Sequence, residues 1–111
     1  MPPATHEPRA SDYLALFAQY RGDDAPLDFG DAYLAPEDER YRLLFEQVCH
    51  LLQHASAFNR AMPQEFRRTA RLYLRGDTAT VTRMRQPEMR HFMLSDLYDY
   101  VSLCSRIGQF R

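Results

Sequence analysis

The 111-residue chain has no tryptophan and no lysine, and only four glycines. Scarce glycine beside plentiful Leu, Ala, Arg, Glu, Gln and Met excludes the turn-rich, β-branched texture of sandwiches and barrels and favours helices. No apolar run approaches the roughly 18 residues of a membrane span, and the opening MPPATHEPRAS holds no hydrophobic leader core. The two cysteines, Cys49 and Cys104, fall inside apolar periodic stretches without CxxC spacing. They read as small buried hydrophobes in a reducing compartment, so the expectation is a cytoplasmic protein without a membrane segment. Also missing are a nucleophile elbow, a Gly-rich phosphate loop and an HExxH pair, so neither an enzyme nor a cofactor is expected. The carboxylates Asp96 and Asp99, set beside tyrosines, need no role beyond solubility.

The chain that remains is 45% hydrophobic with a net charge of −1, which fits neither a disordered polar tail nor a globally basic nucleic-acid binder. Its length suits one domain, near the size at which an oligomer usefully adds buried surface. Residues 1–10, with Pro2, Pro3 and Pro8, read as a flexible arm, and 11–111 as the helical domain. Ser11 suits an N-cap ahead of Asp12, Tyr13, Phe17 and Tyr20 share a face, and Arg21 with Gly22 makes a stop. The acidic stretch 23–36, broken by Pro26, Gly30 and Pro36, reads as a loop packed down through Leu27, Phe29, Tyr33 and Leu34.

The longest seam covers 37–62, where Tyr41, Leu44, Val48, Leu51, Ala55, Phe58 and Met62 recur at spacings of three and four. That predicts one long amphipathic helix, able to line a bundle core or a dimer seam. Pro36, Pro63 and Pro87 each precede acidic residues, the signature of a helix start. After Pro63 the pattern turns Phe66, Ala70, Tyr73 and Leu74 inward and stops at Arg75 and Gly76. Residues 77–86 read as a short helix capped by Asp77 or Thr78, or as an irregular connector. A second long helix is predicted over 87–107, with Met93, Leu97, Tyr100, Val101, Cys104 and Ile107 inward, Gly108 closing it and a possible restart at Ser95 and Asp96. The fold class is therefore all-α: a small bundle of four to five helices with two long ones, 37–62 and 87–107.

Three patterns bear on chemistry. Glu46, His50 and His54 stand at i, i+4 and i+8, a metal-like spacing that equally describes a solvated helix face, and no metal is expected. Charge is polarised: residues 1–40 hold three Arg against nine acids, and 41–111 hold eleven Arg against six. Arg60, Arg67, Arg68, Arg71, Arg75, Arg83, Arg85 and Arg90 crowd into 60–90, and 78–83 loosely resembles a recognition helix. With Val81 as its buried residue, however, the turn glycine would fall at Arg75. The alternative is that these arginines pair with the acidic third of the chain. The last pattern is an apolar surplus. Leu43, Leu72, Phe92 and Leu103 lie off every seam, with Arg68 and Arg75 flanking Leu72, and these six are the candidate partner-binding residues. The competing expectation is that the acidic loop or the first helix covers the apolar four.

Taken whole, this lysine-free helical chain, with its MPPATHEPRASDYLALFAQYRG and LCSRIGQFR segments, resembles the QslA-like quorum-sensing anti-activators. The resemblance implies a helical homodimer that binds the ligand-binding domain of a LuxR-type, LasR-like transcription factor and blocks the factor's dimerisation and DNA binding. It transfers no site residues. The expected function is thus a non-enzymatic protein-binding regulator, with a small DNA-binding regulator acting through residues 60–90 as the alternative.

Overall fold

The structure, a computed structural model, describes residues 7–20, 39–55 and 62–108. The Arg21 and Gly22 stop, the 23–36 loop, the Pro36 start, Phe58 and Arg60 lie outside them, as does the side chain of Tyr41. Among the described residues the elements are five helices: α1 (Ala10–Tyr20), α2 (Glu39–Leu52), α3 (Gln64–Arg75), α4 (Thr78–Met84) and α5 (Pro87–Ile107). The chain is an all-α bundle, and none of these helices is long and apolar enough to cross a membrane.

Local chemistry sets most of the boundaries. Pro87 opens α5 at a position where its missing N–H costs nothing, and Gly108, at φ 83°, closes it. The helix runs through Ser95 and Asp96 without a restart. Gly76, at φ 82°, ends α3: its N–H donates to Tyr73 O and the following Asp77 N–H to Leu72 O, a Schellman pair. An added Cβ on Gly76 would meet nothing within 4 Å, so Gly76→Ala should cost only the left-handed strain, about 1 kcal/mol, read as a lower urea midpoint with unchanged slope.

Residues 77–86 resolve as the capped helix, not the irregular connector. The Asp77 carboxylate accepts from the Thr80 N–H at 3.1 Å and the Thr80 hydroxyl at 2.8 Å, and those two bonds hold its carboxyl below the usual range. The first helix differs from expectation. Its cap is Arg9, whose N–H is accepted by Asp12 at 2.7 Å while its carbonyl accepts the Asp12 N–H at 2.9 Å. Ser11 is exposed inside the first turn. Of the segment read as an arm, Pro8 is buried and Ala10 already belongs to α1, while residues 1–6 lie outside the described ones.

The largest correction concerns the 37–62 helix. α2 stops at Leu52, where His54 N–H donates to Leu51 O and Ala55 N–H to Leu52 O, three-residue bonds that tighten and end the turn. Ala55 and Met62 are still buried, but from non-helical backbone. α2 packs against α1, α3 and α5, so its buried surface is wider than one seam: Leu44, Phe45, Val48, Cys49 and Leu52 are fully covered, and Leu51 only partly. α1 also lies on α5, and α4 bridges α3 and α5. One apolar cluster joins all five helices, with Tyr13 and Phe17 from α1, Ala70 from α3, Met84 from α4 and Leu94, Leu97 and Val101 from α5. Edge-on ring contacts tie its layers, Phe17 to Tyr98 at 5.1 Å and Phe45 to Tyr73 at 5.0 Å.

Candidate protein-interaction surface

Among the described residues, no helix packs on the outer side of α5; the acidic loop that was the competing cover lies outside them. At about 100° per residue, Glu88, Phe92, Asp96, Asp99, Leu103, Arg106 and Ile107 fall on one stripe roughly 100° wide, and all seven are exposed. Phe92 is 61% exposed, Leu103 47% and Ile107 60%. The expectation that Ile107 points inward is therefore corrected: the inward stripe ends with Cys104, and Ile107 extends one turn past it.

Beside Phe92 a groove of 290 Å³ opens between α3, α4 and α5. Its apolar lining is Phe66, Met84, Met89, Phe92 and Met93, with Glu65, Asp96 and Arg83 at its polar margin. Three of the chain's five methionines meet there. Methionine's flexible, polarisable side chain suits surfaces that must mould to a partner. The end of α4 that carries Met84 is tied to α5 by Arg90, which is buried and whose Nη1 donates to the carbonyls of Met84 and Arg85, both at 3.0 Å. Those are end-of-helix carbonyls that α4 cannot satisfy itself.

The six predicted residues are dispersed. Phe92 and Leu103 share the α5 stripe, about 16 Å apart along the axis. Leu43 is exposed on α2. Arg68 and Arg75 are exposed on α3, but Leu72 between them is half-buried, contrary to its expected outward position. The crowded arginines divide similarly: Arg67 and Arg90 are buried, while Arg68, Arg71, Arg75, Arg83 and Arg85 are exposed. Arg71 reaches from α3 to the Ala55 carbonyl at 3.4 Å, beside the end of α2. Met84, Met89 and Phe66 line the groove without having been expected there; for the two methionines, the density of methionine between 84 and 93 was the available signal.

Glu46, His50 and His54 do not assemble, because Arg42 holds Glu46 at 2.6 Å, and His54 lies beyond the end of α2. Among the described residues no three His, Cys, Asp or Glu side chains are placed to hold a metal. Burial first, and the charge of Glu46 second, push the Cys49 thiol up to about 12, which leaves almost no thiolate at neutral pH. Burial also raises the Tyr13 hydroxyl above its ordinary value, with Glu7 and Asp12 adding to the shift. Both groups are neutral when folded and ionise more readily when unfolded. Stability from Cys49 is thus complete below its unfolded value of 9.0 and falls as pH rises towards 12, by about 1.4 kcal/mol per pH unit. A native-state thiol titration at pH 8 should leave Cys49 unlabelled until denaturant is added, and melts should decline above pH 9. Rapid native labelling of Cys49 would contradict its burial.

A second hollow, of 660 Å³, lies between α1 and α2, lined by Leu16, Leu51, His50 and His54 among others. Its margin mixes Glu7 and Asp12 with Arg9, so it presents no single charge. No protein-family model, curated protein or solved structure matches the chain.

Proposed function

We propose that the chain is a non-enzymatic protein-binding regulator that buries the outer stripe of α5 and the adjoining methionine-lined groove in a partner protein. The observation that carries this is the 61% exposure of Phe92 at the rim of that groove. A large exposed aromatic beside a methionine-lined hollow is the composition of a binding hot spot, whereas single exposed leucines are ordinary surface. The exposed Arg68 and Arg75 of α3 supply a second, charged patch suited to steering the encounter.

The resemblance to QslA-like anti-activators supports a LuxR-type transcription factor as the partner, with the chain occupying the factor's own dimerisation face. On that reading, adding the purified chain to such a factor bound to its operator releases the DNA stoichiometrically, and Phe92→Ala does not. Undiminished operator binding under a large excess of chain would remove the LuxR-type partner. Retention of the operator by the chain alone, weakening steeply with salt, would favour the DNA-binding alternative. The proposal includes a homodimer formed away from the α5 stripe. Light scattering at micromolar concentration then returns twice the 13.1 kDa chain mass; the single-chain mass would withdraw the dimer.

A further inference from the structure

We infer that the groove between α3, α4 and α5 takes a cationic amphipathic helix of the partner, an inference that rests on the binding reading above and adds the chemistry of the occupant. The apolar line sets its shape. Phe92 and Leu103 are eleven residues apart on one helix face, so a docked helix covers both with anchors at i, i+4, i+7 and i+11, three turns long.

Charge sets its sign. Glu65 and Asp96 stand at the groove margin, Glu88 precedes Phe92 by one turn and Asp99 precedes Leu103 by one turn. None of these four carboxylates has a hydrogen bond or ion pair among the described residues. Among the described residues, Arg83 is the one cation that lines the groove, against Glu65 and Asp96. Arg106 stands at the far end of the stripe, one turn past Leu103; four carboxylates against that cation and Arg83 leave the balance around the apolar line negative, which a helix flanked by Arg or Lys complements.

The same residues argue against a second copy of this chain as occupant. A two-fold axis that paired Phe92 with Leu103 of another copy would pass through the midpoint of 92 and 103. Positions 96 and 99 are symmetric about that same midpoint, so each Asp96 would face the other copy's Asp99 and four carboxylates would converge. Like-charge juxtaposition of this kind rejects a partner.

The test uses the full chain and two labelled four-turn peptides with leucine at the anchor positions, one flanked by arginine and its twin flanked by glutamate. Anisotropy titrations at low salt should give the arginine peptide at least about tenfold tighter binding, the preference shrinking as added salt shortens the screening length. Asp96→Asn with Asp99→Asn should remove most of that preference, and Phe92→Ala should weaken both peptides. All three side chains are exposed, so thermal melts of the variants should match the parent. Equal affinities, or preference for the glutamate twin, with Phe92 still required, would overturn the charge assignment and leave the binding surface standing. Binding of neither peptide, or binding indifferent to Phe92, would overturn both. A dimer dissociated by Phe92→Ala would place a second copy in the groove and overturn the inference.

Discussion

Replacing Phe45 with alanine is expected to destabilise the fold by about 3–5 kcal/mol. The ring is fully buried on α2 and meets the edge of Tyr73 on α3 at 5.0 Å, so its loss removes apolar burial and an aromatic pair together. A domain of this kind is stable by about 5–15 kcal/mol in total, which makes the loss about a fifth of the whole at the least. Phe45→Leu keeps most of the volume and forfeits the ring edge, and should cost about 1–2 kcal/mol. Urea melts followed by far-ultraviolet circular dichroism measure both, as a lower midpoint at unchanged slope. A Phe45→Ala variant as stable as the parent would mean that α2 and α3 are not held together as described.

Phe92→Ala should produce the opposite profile. With 61% of the residue exposed, truncation should move stability by no more than about 0.5 kcal/mol. As an anchor at the rim of the methionine-lined groove, the same side chain should contribute about 2–4 kcal/mol to partner binding, roughly 30- to 1000-fold in affinity. The separation of the two readouts is informative, because a residue that merely packs loses both together. Leu103→Ala, on the same α5 stripe but outside the groove lining, should weaken binding less.

Among the described residues, helix boundaries were legible in the sequence where glycine or proline dictated backbone geometry. Pro87 and Gly108 bracket α5 at the expected residues, and Gly76 ends α3 in the left-handed conformation its position demanded. Where no such residue stood, periodicity overran the helix. Ala55 and Met62 kept the three-and-four spacing of α2, and both are buried, yet the backbone leaves the helix after Leu52. Apolar spacing reports which side chains reach the core, and a turn can deliver them there as readily as a helix can.

The buried charges follow from the same distinction. Arg90 is in register with Leu94, Leu97, Val101 and Cys104, all buried, and Arg67 stands one turn before the buried Ala70. Register predicted their burial, while the sequence reading followed their charge. The unsatisfied carbonyls at the end of α4 accept from Arg90 Nη1, though its buried Nε finds no partner among the described residues. Of the candidate surface, Leu43, Phe92 and Leu103 were legible from the helix wheel as apolar residues that no seam uses, and all three are exposed. The groove was not legible. It needs α3, α4 and α5 to converge, and convergence is a property of tertiary packing that no single helix encodes.

The most direct test of the central claim, that the α5 stripe and its groove bury a partner protein, is a quantitative capture experiment from native lysate. Tagged parent chain is compared with a Phe92→Ala, Leu103→Ala variant of matching melting temperature, and bound proteins are identified by mass spectrometry. A specific protein should be retained by the parent and lost from the variant. The same proteins at equal abundance on both, or none on either, would contradict the claim.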